Sequence, residues 1–212
     1  MTEDNRLNRA FSLKTPQDSV RLYRDWADSY DETFADAFGY IAPREVAAAF
    51  RAAAESQPGG SVEPVLDIGA GTGLLAAELA GLTIDAIDIS PEMLEVAKAK
   101  GLYRNCILAD LSQKLPLADA SYSALVSTGT FTHGHVGPAC LPELMRIARP
   151  GALFTLGINP GVFDDAGFGS AFAALVADDV IEPVDFRQLD IYQDARHEYA
   201  DDRYLTAIFR RR

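Results

Sequence analysis

The amino-acid sequence predicts an α/β fold in which a mostly parallel sheet is covered by helices on both faces. Short apolar runs typical of buried strands occur at residues 62–68, 82–88, 105–109, 121–127 and 152–158. Helical stretches lie between most of them, at residues 73–80, 91–100 and 138–148. Alternating strands and helices of this kind are typical of parallel sheets that are buried on both sides.

The C-terminal part predicts two further strands, which makes seven in all. After a predicted helix at residues 169–177, two longer alternating segments follow at 184–193 and 203–211 with no helix between them. Such a pair indicates antiparallel strands that close one edge of the sheet. This ending argues against a dinucleotide-dependent dehydrogenase, whose second half would be another βαβ unit.

The chain is expected to form a single domain, with a helical N-terminal cap or lid at residues 1–60 and an α/β core at 61–212. A second helix of the cap is expected to begin at Pro43, and residues 56–61 have the composition of a loop. The first helix is predicted by a stripe of apolar residues three or four positions apart, namely Val20, Tyr23, Trp26, Ala27, Tyr30 and Phe34.

Charge and composition restrict the classes of partner and the compartment. The formal net charge is −12, which disfavours nucleic acids and anionic membranes and leaves a small molecule or a protein as the expected partner. The basic cluster at residues 210–212 is interpreted as a frayed tail. Two cysteines, a polar N-terminus and no apolar run of about 20 residues predict a reduced cytoplasmic chain without a membrane span.

The strongest local signal is the motif Asp67-x-Gly69-x-Gly71-x-Gly73, which follows the first predicted strand and precedes a helix. Glycines permit positive φ and let a ligand approach the backbone closely. The spacing does not match the dinucleotide motif G-x-G-x-x-G, because Leu74 stands where its third glycine is required. A phosphate-binding P-loop is also disfavoured, since no lysine follows.

Acidic residues end the next two strands. Asp88 lies 21 positions after Asp67, where a carboxylate can accept both hydroxyls of a ribose laid across the strand ends. The alternative is a structural acid at the start of the helix that Ser90 and Pro91 begin. Asp110 ends the third strand, and it too has an alternative role, as the cap of a turn.

With these motifs in this order, the chain resembles the class I S-adenosylmethionine-dependent methyltransferases, which have a Rossmann-like fold. The resemblance implies S-adenosylmethionine as cofactor and S-adenosylhomocysteine as product. In that family the residue at Asp110 contacts the adenine amino group, the next backbone N–H reaches the ring, and apolar residues flank it. The cofactor-binding residues that the resemblance implies are Tyr30, Asp67, Gly69, Ala70, Gly71, Gly73, Asp88, Ile89, Met93, Asp110, Leu111 and Ser127.

Residues 127–136, together with Trp26-Ala27-x-x-Tyr30-Asp31 and Tyr40-x-x-Pro43, are similar to the methyltransferase-like proteins of the Williams-Beuren syndrome region and their bacterial relatives. That subgroup is recognised by sequence more than by substrate. The resemblance covers residues 20–160 closely, and it implies a fold and a cofactor without a methyl acceptor.

His133 and His135 follow the fourth strand and are the candidate catalytic bases, because only histidine has an unperturbed pKa near neutrality. In an extended segment they would face opposite ways, so one is expected to face the site. The alternative is a histidine that hydrogen-bonds within the loop. Two histidines fall short of a metal site, so no metal is expected. Tyr30 and Trp26 are either a lid over the cofactor or core residues.

The sequence thus predicts an enzyme that methylates an oxygen or nitrogen atom of a small molecule. The alternative is a catalytically silent protein of the same fold that binds S-adenosylmethionine or another protein. The sequence carries no prediction of the oligomeric state.

Overall fold

The computed structural model describes residues 24, 26–36, 38–56, 61–193 and 200–212. Val20, Tyr23 and His197 lie outside the described residues, as does most of the loop predicted at 56–61. The sheet consists of β1 (Val65–Ile68), β2 (Ile84–Asp88), β3 (Asn105–Leu108), β4 (Tyr122–Phe131), β5 (Ala148–Ile158), β6 (Asp185–Asp190) and β7 (Arg203–Arg210).

The strand order is β3-β2-β1-β4-β5-β7-β6. Strands β1 to β5 pair in parallel, and β7 runs antiparallel to both of its neighbours, β5 and β6. The predicted seven-stranded, mostly parallel sheet with an antiparallel strand near the C-terminus is confirmed. The strand order reverses between the neighbouring strands β1 and β4, where the chain passes from one half of the sheet to the other.

Helices cover both faces of the sheet, as predicted. Val65 and Val126 pack on one face with the helices at Ala42–Glu55 and Leu74–Glu78, whereas Leu66 and Leu125 pack on the other with those at Leu141–Ile147 and Phe168–Ala177. No helix in the described part of the chain has the length and apolarity to cross a membrane. The helices are α1 (Ala42–Glu55), α2 (Leu74–Glu78), α3 (Pro91–Ala99), α4 (Leu141–Ile147), α5 (Pro160–Phe163) and α6 (Phe168–Ala177).

The N-terminal segment differs from the continuous helix that its apolar stripe predicts. A 3₁₀ turn at Ala27–Ser29 is followed by a π-helical segment at Asp31–Asp36. The indole Nε1 of Trp26 donates a hydrogen bond to the Thr33 hydroxyl at 2.8 Å, and Thr33 in turn donates to the Ser29 carbonyl at 2.6 Å. These side-chain hydrogen bonds accompany the π-helical segment. The spacing of apolar residues does not predict such a segment.

The predicted end of the fourth strand also changes. Strand β4 continues to Phe131 instead of ending at residue 127, because Phe131 pairs with Ile158 beyond an irregularity. Between the pairs Ser127–Leu156 and Phe131–Ile158, β4 takes four steps and β5 takes two, so this end of β4 forms a bulge.

The C-terminal arginines are not a frayed tail, so that interpretation is wrong. Arg210 belongs to β7, and Arg211 forms an isolated bridge with Ile181. Their guanidinium groups donate to backbone carbonyls, Arg210 to Gly151 at 2.9 Å and Arg211 to Ala148. The side chains of Arg210 and Arg211 therefore join the end of β7 to β5.

Asp85, in β2, ties together the strands whose ends form the site. Its carboxylate is 2% exposed and accepts hydrogen bonds from Arg104 at 2.6 and 2.9 Å, from Asn105 at 3.0 Å and from Tyr122 at 2.9 Å. Burial alone would raise the pKa of this carboxyl, but the hydrogen bonds from Arg104, Tyr122 and Asn105 hold the pKa below its ordinary value. Asp85 is therefore charged, and it fixes β2 beside β3.

Replacing Asp85 with alanine should lower the free energy of unfolding by about 2 kcal/mol, because the buried Tyr122 hydroxyl loses its acceptor while half-exposed Arg104 regains water. Urea unfolding measures the change. Asp190→Ala is the matched control, since it removes an exposed ion pair with Arg203 and should cost less than about 0.5 kcal/mol. Equal costs for the two variants would contradict the role given to Asp85.

Candidate functional site

A cavity of about 930 Å³, open to solvent, lies at the carboxyl ends of β1, β2, β3 and β4. Open α/β sheets bind ligands at this edge. Ten of the predicted site residues line it, and they are Tyr30, Gly69, Ala70, Gly71, Asp88, Ile89, Met93, Asp110, Leu111 and His135. Four predicted residues lie behind its wall, and they are Asp67, Gly73, Ser127 and His133.

The three glycines after β1 all have positive φ, but for different reasons. A Cβ on Gly69 would lie 2.1 Å from the Thr130 hydroxyl, and a Cβ on Gly73 would lie 3.0 Å from the Tyr103 ring. Gly71 has φ 53° and nothing within 4 Å of such a Cβ. Close packing therefore requires Gly69 and Gly73, and only Gly71 leaves open space in which a ligand could approach the backbone.

Asp88 holds the glycine turn against the start of helix α3. One carboxylate oxygen accepts the Gly71 N–H at 2.8 Å, and the other accepts the Ser90 N–H at 2.8 Å. The Ser90 hydroxyl then caps the helix by accepting the Met93 N–H at 3.2 Å. Burial raises the pKa of Asp88, and the three backbone N–H groups nearby oppose that rise. Asp88 thus has the structural role and also lines the cavity.

Asp110 likewise combines both of the roles considered for it. Its carboxylate accepts the Ser112 N–H at 2.8 Å, which caps the turn after β3, and the residue lines the cavity. Ile89, Met93 and Leu111 line the same end, and the last two are buried. This end therefore presents two carboxylates beside an apolar surface.

Asp67 lies one layer deeper than the resemblance suggests. Its carboxylate is 1% exposed and accepts the Tyr103 hydroxyl at 2.7 Å. Burial raises the pKa of Asp67 to about 7, the Tyr103 hydrogen bond opposes that rise, and the nearby charge of Asp88 adds to it. Tyr103 carries no motif, and its ring also contacts Gly73. Sequence reasoning therefore missed the partner that covers Asp67.

The end of β4 forms the other side of the cavity. Ser127 is fully buried and donates to the Ile68 carbonyl at 2.8 Å, and Thr130 donates to the same oxygen at 2.8 Å. Ser127 therefore lies behind the wall, whereas residues 128–130, on the bulge, line the cavity. The alternation of a strand puts neighbouring side chains on opposite faces, but the bulge hides this register from the sequence.

One of the two candidate histidines faces the cavity, and it is His135. Its Nδ1 lies 2.8 Å from the His133 carbonyl, so Nδ1 carries the hydrogen and Nε2 is the basic nitrogen of the neutral ring. Burial lowers the pKa of His135, and the His133 carbonyl opposes that shift. The His133 ring instead packs against Gly161, where a Cβ would lie 3.0 Å from its Cε1 and Nε2.

Tyr30 and Tyr40 complete the wall on the N-terminal side. Tyr30 packs edge-on against buried Trp26, with 5.2 Å between ring centroids. The Tyr40 hydroxyl lies 3.3 Å from that of Tyr204 on β7. Tyr40 was not predicted as a site residue, although it belongs to the Tyr40-x-x-Pro43 pattern. Trp26 is core, and Tyr30 faces the cavity.

Together, the fold and the cavity are typical of α/β proteins that bind a ligand at the switch point of the sheet. Residues 66–156 match a family described as a methyltransferase domain. Human methyltransferase-like protein 27 is 34% identical over 155 residues, which cover 71% of this chain and 62% of that protein. The demethylmenaquinone methyltransferase of Beutenbergia cavernae is 34% identical over 147 residues, 68% of this chain and 58% of the enzyme. The chain thus spans less than two thirds of either relative.

Solved structures share the fold. A methyltransferase from Thermotoga maritima superposes with a TM-score of 0.59 at 16% identity and covers 91% of this chain and 98% of its own. The [4+2]-cyclase SpnF superposes with a TM-score of 0.65 at 16% identity and covers 93% and 97%. These comparisons support a class I S-adenosylmethionine-dependent methyltransferase.

S-adenosylmethionine is the cofactor of this class, and the residues present fit it. Asp88 and Asp110 supply hydrogen-bond acceptors at one end of the cavity, as a nucleoside needs, and Ile89 and Met93 supply an apolar surface for a base. Gly71 leaves the space for close approach to the backbone.

The raised pKa of Asp67 predicts a pH-dependent stability. Because its folded-state pKa of about 7 exceeds the unfolded value, the stability that the neutral acid contributes is present at low pH and is lost as pH rises through 7. Asp67→Asn cannot ionise and keeps the Tyr103 hydrogen bond. Its stability relative to the parent chain should therefore increase by about 3 kcal/mol between about pH 5 and about pH 8.

Urea unfolding at these two pH values measures the difference between the chains. Asp190→Asn, an exposed site on β6, is the control and should show no such change. A difference between Asp67→Asn and the parent that does not vary with pH would rule out an ionising Asp67.

Proposed function

We propose that this chain transfers the methyl group of S-adenosylmethionine to an oxygen or nitrogen atom of a small molecule. The observation that carries the proposal is that His135 and the strand-end acids line one cavity. The name of the Beutenbergia relative, a demethylmenaquinone methyltransferase, supports a small-molecule acceptor. The net charge of −12 disfavours a nucleic acid.

In this proposal the adenosyl part of the cofactor binds at the ends of β2 and β3. Asp88 accepts the two ribose hydroxyls with the lone pairs that the Gly71 and Ser90 N–H groups leave available. Asp110 and the Leu111 N–H contact the adenine edge. Ile89 and Met93 flank the ring.

The acceptor occupies the opposite side of the cavity, where the end of β4 and the following loop lie. That side is lined by Tyr40, Thr128, Gly129, Thr130, His135 and Val136. Hydroxyl groups of tyrosine and threonine and one imidazole can orient a polar group, and Val136 offers an apolar contact. This surface suits an uncharged organic molecule that carries a hydroxyl or amino group.

When bound, the cofactor supplies a methyl group that its positively charged sulfur already activates. The cavity walls hold the acceptor in line with that methyl group and exclude water. Tyr40, Thr128 and Thr130 would orient the oxygen or nitrogen atom of the acceptor toward that methyl group. Nε2 of His135 takes the proton that the acceptor loses. A lowered pKa keeps His135 neutral and able to accept it at pH 7.

Asp88→Ala should weaken the binding of S-adenosylhomocysteine about 100-fold, because two hydrogen bonds to a charged group are lost at about 1.5 kcal/mol each. Isothermal titration calorimetry measures the affinity, and circular dichroism melting shows that the variant is folded. Asp119→Ala, which removes an exposed carboxylate paired with Arg146, is the control. Unchanged affinity in Asp88→Ala would remove the ribose assignment.

The activity itself is tested by incubating the chain with S-adenosylmethionine and panels of phenols, alcohols, amines, carboxylates and thiols, and by measuring release of S-adenosylhomocysteine. With a hydroxyl acceptor, His135→Gln should lower kcat about 100-fold, and His133→Gln should lower it much less. Because the base must be neutral, parent kcat should rise with pH below the ordinary histidine pKa and then level off. Silence with every panel would favour the catalytically silent alternative.

A further inference from the structure

The described part of the N-terminal segment is tied to the glycine turn by the carboxylate of Asp31. The Thr72 hydroxyl donates to Oδ1 of Asp31 at 2.6 Å, and Nζ of Lys100 lies 2.5 Å from Oδ2. Thr72 is buried and lines the cavity, and Lys100 directly follows helix α3. Asp31 therefore joins the N-terminal segment, the glycine turn and the end of α3.

The residue before this carboxylate, Tyr30, is part of the cavity wall, whereas Asp31 itself does not line the cavity. Tyr30 packs on Trp26, and Trp26 is hydrogen-bonded to Thr33 on the following turn. The segment is thus cross-linked within itself. A contact that holds Asp31 in place therefore also holds the Tyr30 ring over the cavity.

A second ion pair also joins the N-terminal segment to α3, but it holds the segment less strongly. Arg24 Nε lies 3.0 Å from Oε1 of Glu92, and their side chains are 58% and 33% exposed. Exposed pairs of this kind contribute little because water and salt screen them. The Lys100 and Asp31 side chains are 29% and 34% exposed, and Asp31 also accepts a hydrogen bond from a buried hydroxyl. Asp31 is therefore the stronger of the two ties.

We propose that Asp31 is a positioning residue that keeps Tyr30 in the cavity wall, against bound cofactor, by holding the N-terminal segment to Thr72 and Lys100. The cofactor leaves when these contacts break and Tyr30 moves away from the wall. The proposal rests on this cavity being the S-adenosylmethionine site. It makes Asp31 responsible for the lifetime of the complex, with no contact to the reacting atoms.

The first experiment measures how fast S-adenosylhomocysteine dissociates from the full chain, by displacement of radiolabelled ligand with excess unlabelled ligand. S-adenosylhomocysteine should dissociate about tenfold faster from Asp31→Asn than from the parent. Removing the charge of one partner of a partly buried ion pair acts mainly on the dissociation rate. A merely structural role would lower the amount of ligand bound and leave this rate unchanged. Asp190→Asn, which removes the exposed pair with Arg203 on β6, should dissociate at the parent rate.

The second experiment uses Trp26, the single tryptophan of the chain, and needs no cofactor. Its indole is buried in the N-terminal segment. If that segment loosens in Asp31→Asn, the indole becomes more exposed and emission from the ligand-free chain should shift to longer wavelength. Emission from Asp190→Asn should stay unchanged. Lys100→Gln replaces a partly exposed residue and should shift emission and dissociation in the same sense. It carries the test if Asp31→Asn does not fold.

The proposal would be overturned if Asp31→Asn and Lys100→Gln both showed the same Trp26 emission and the same dissociation rate of S-adenosylhomocysteine as the parent chain. Failure of the parent chain to bind S-adenosylhomocysteine would instead overturn the cofactor site. In that case the emission of Trp26 would still decide whether Asp31 holds the segment.

Discussion

The site depends above all on the carboxylate of Asp88, which accepts one backbone N–H from the glycine turn and one from the start of α3. These two bonds bring the loop after β1 and the loop after β2 to a common position. Because β1 and β2 are neighbours in a parallel sheet, their carboxyl ends already lie side by side. The carboxylate fixes the position of these two loops relative to each other, and burial strengthens its hydrogen bonds.

The sequence predicts those features of the site that depend on residues close together in the chain. It does not predict those that depend on contacts between distant residues. The strands, the glycine turn and the positions of Asp88 and Asp110 at strand ends follow from alternating apolar runs and from residues adjacent in the chain. Asp67 and Ser127 belong to the same motifs, yet they lie behind the wall. Their partners, the Tyr103 hydroxyl and the Ile68 carbonyl, are 36 and 59 positions away, and no motif announces such contacts.

The N-terminal segment shows a second limit. The spacing of Trp26 and Tyr30 correctly placed both on one apolar side, but it could not distinguish an α-helix from the 3₁₀ and π turns that the Thr33 hydrogen bonds accompany. The two histidines illustrate the opposite case. Their separation by two residues predicted that one would face the site, and the choice of His135 depends on Gly161, which gives the His133 ring its place.

The bulge at the end of β4 separates the residues that pair with β5 from the residues that line the cavity. In a regular strand the same residues would do both. On one side of it, Ser127 stays in register with β5, and on the other side Phe131 regains its pairing. Thr128 lies between these paired residues and lines the cavity. Under the proposed function, a duplicated copy of this gene could therefore acquire a new methyl acceptor through a change at such a position, while Asp88 and Asp110 remain unchanged on the other side of the cavity.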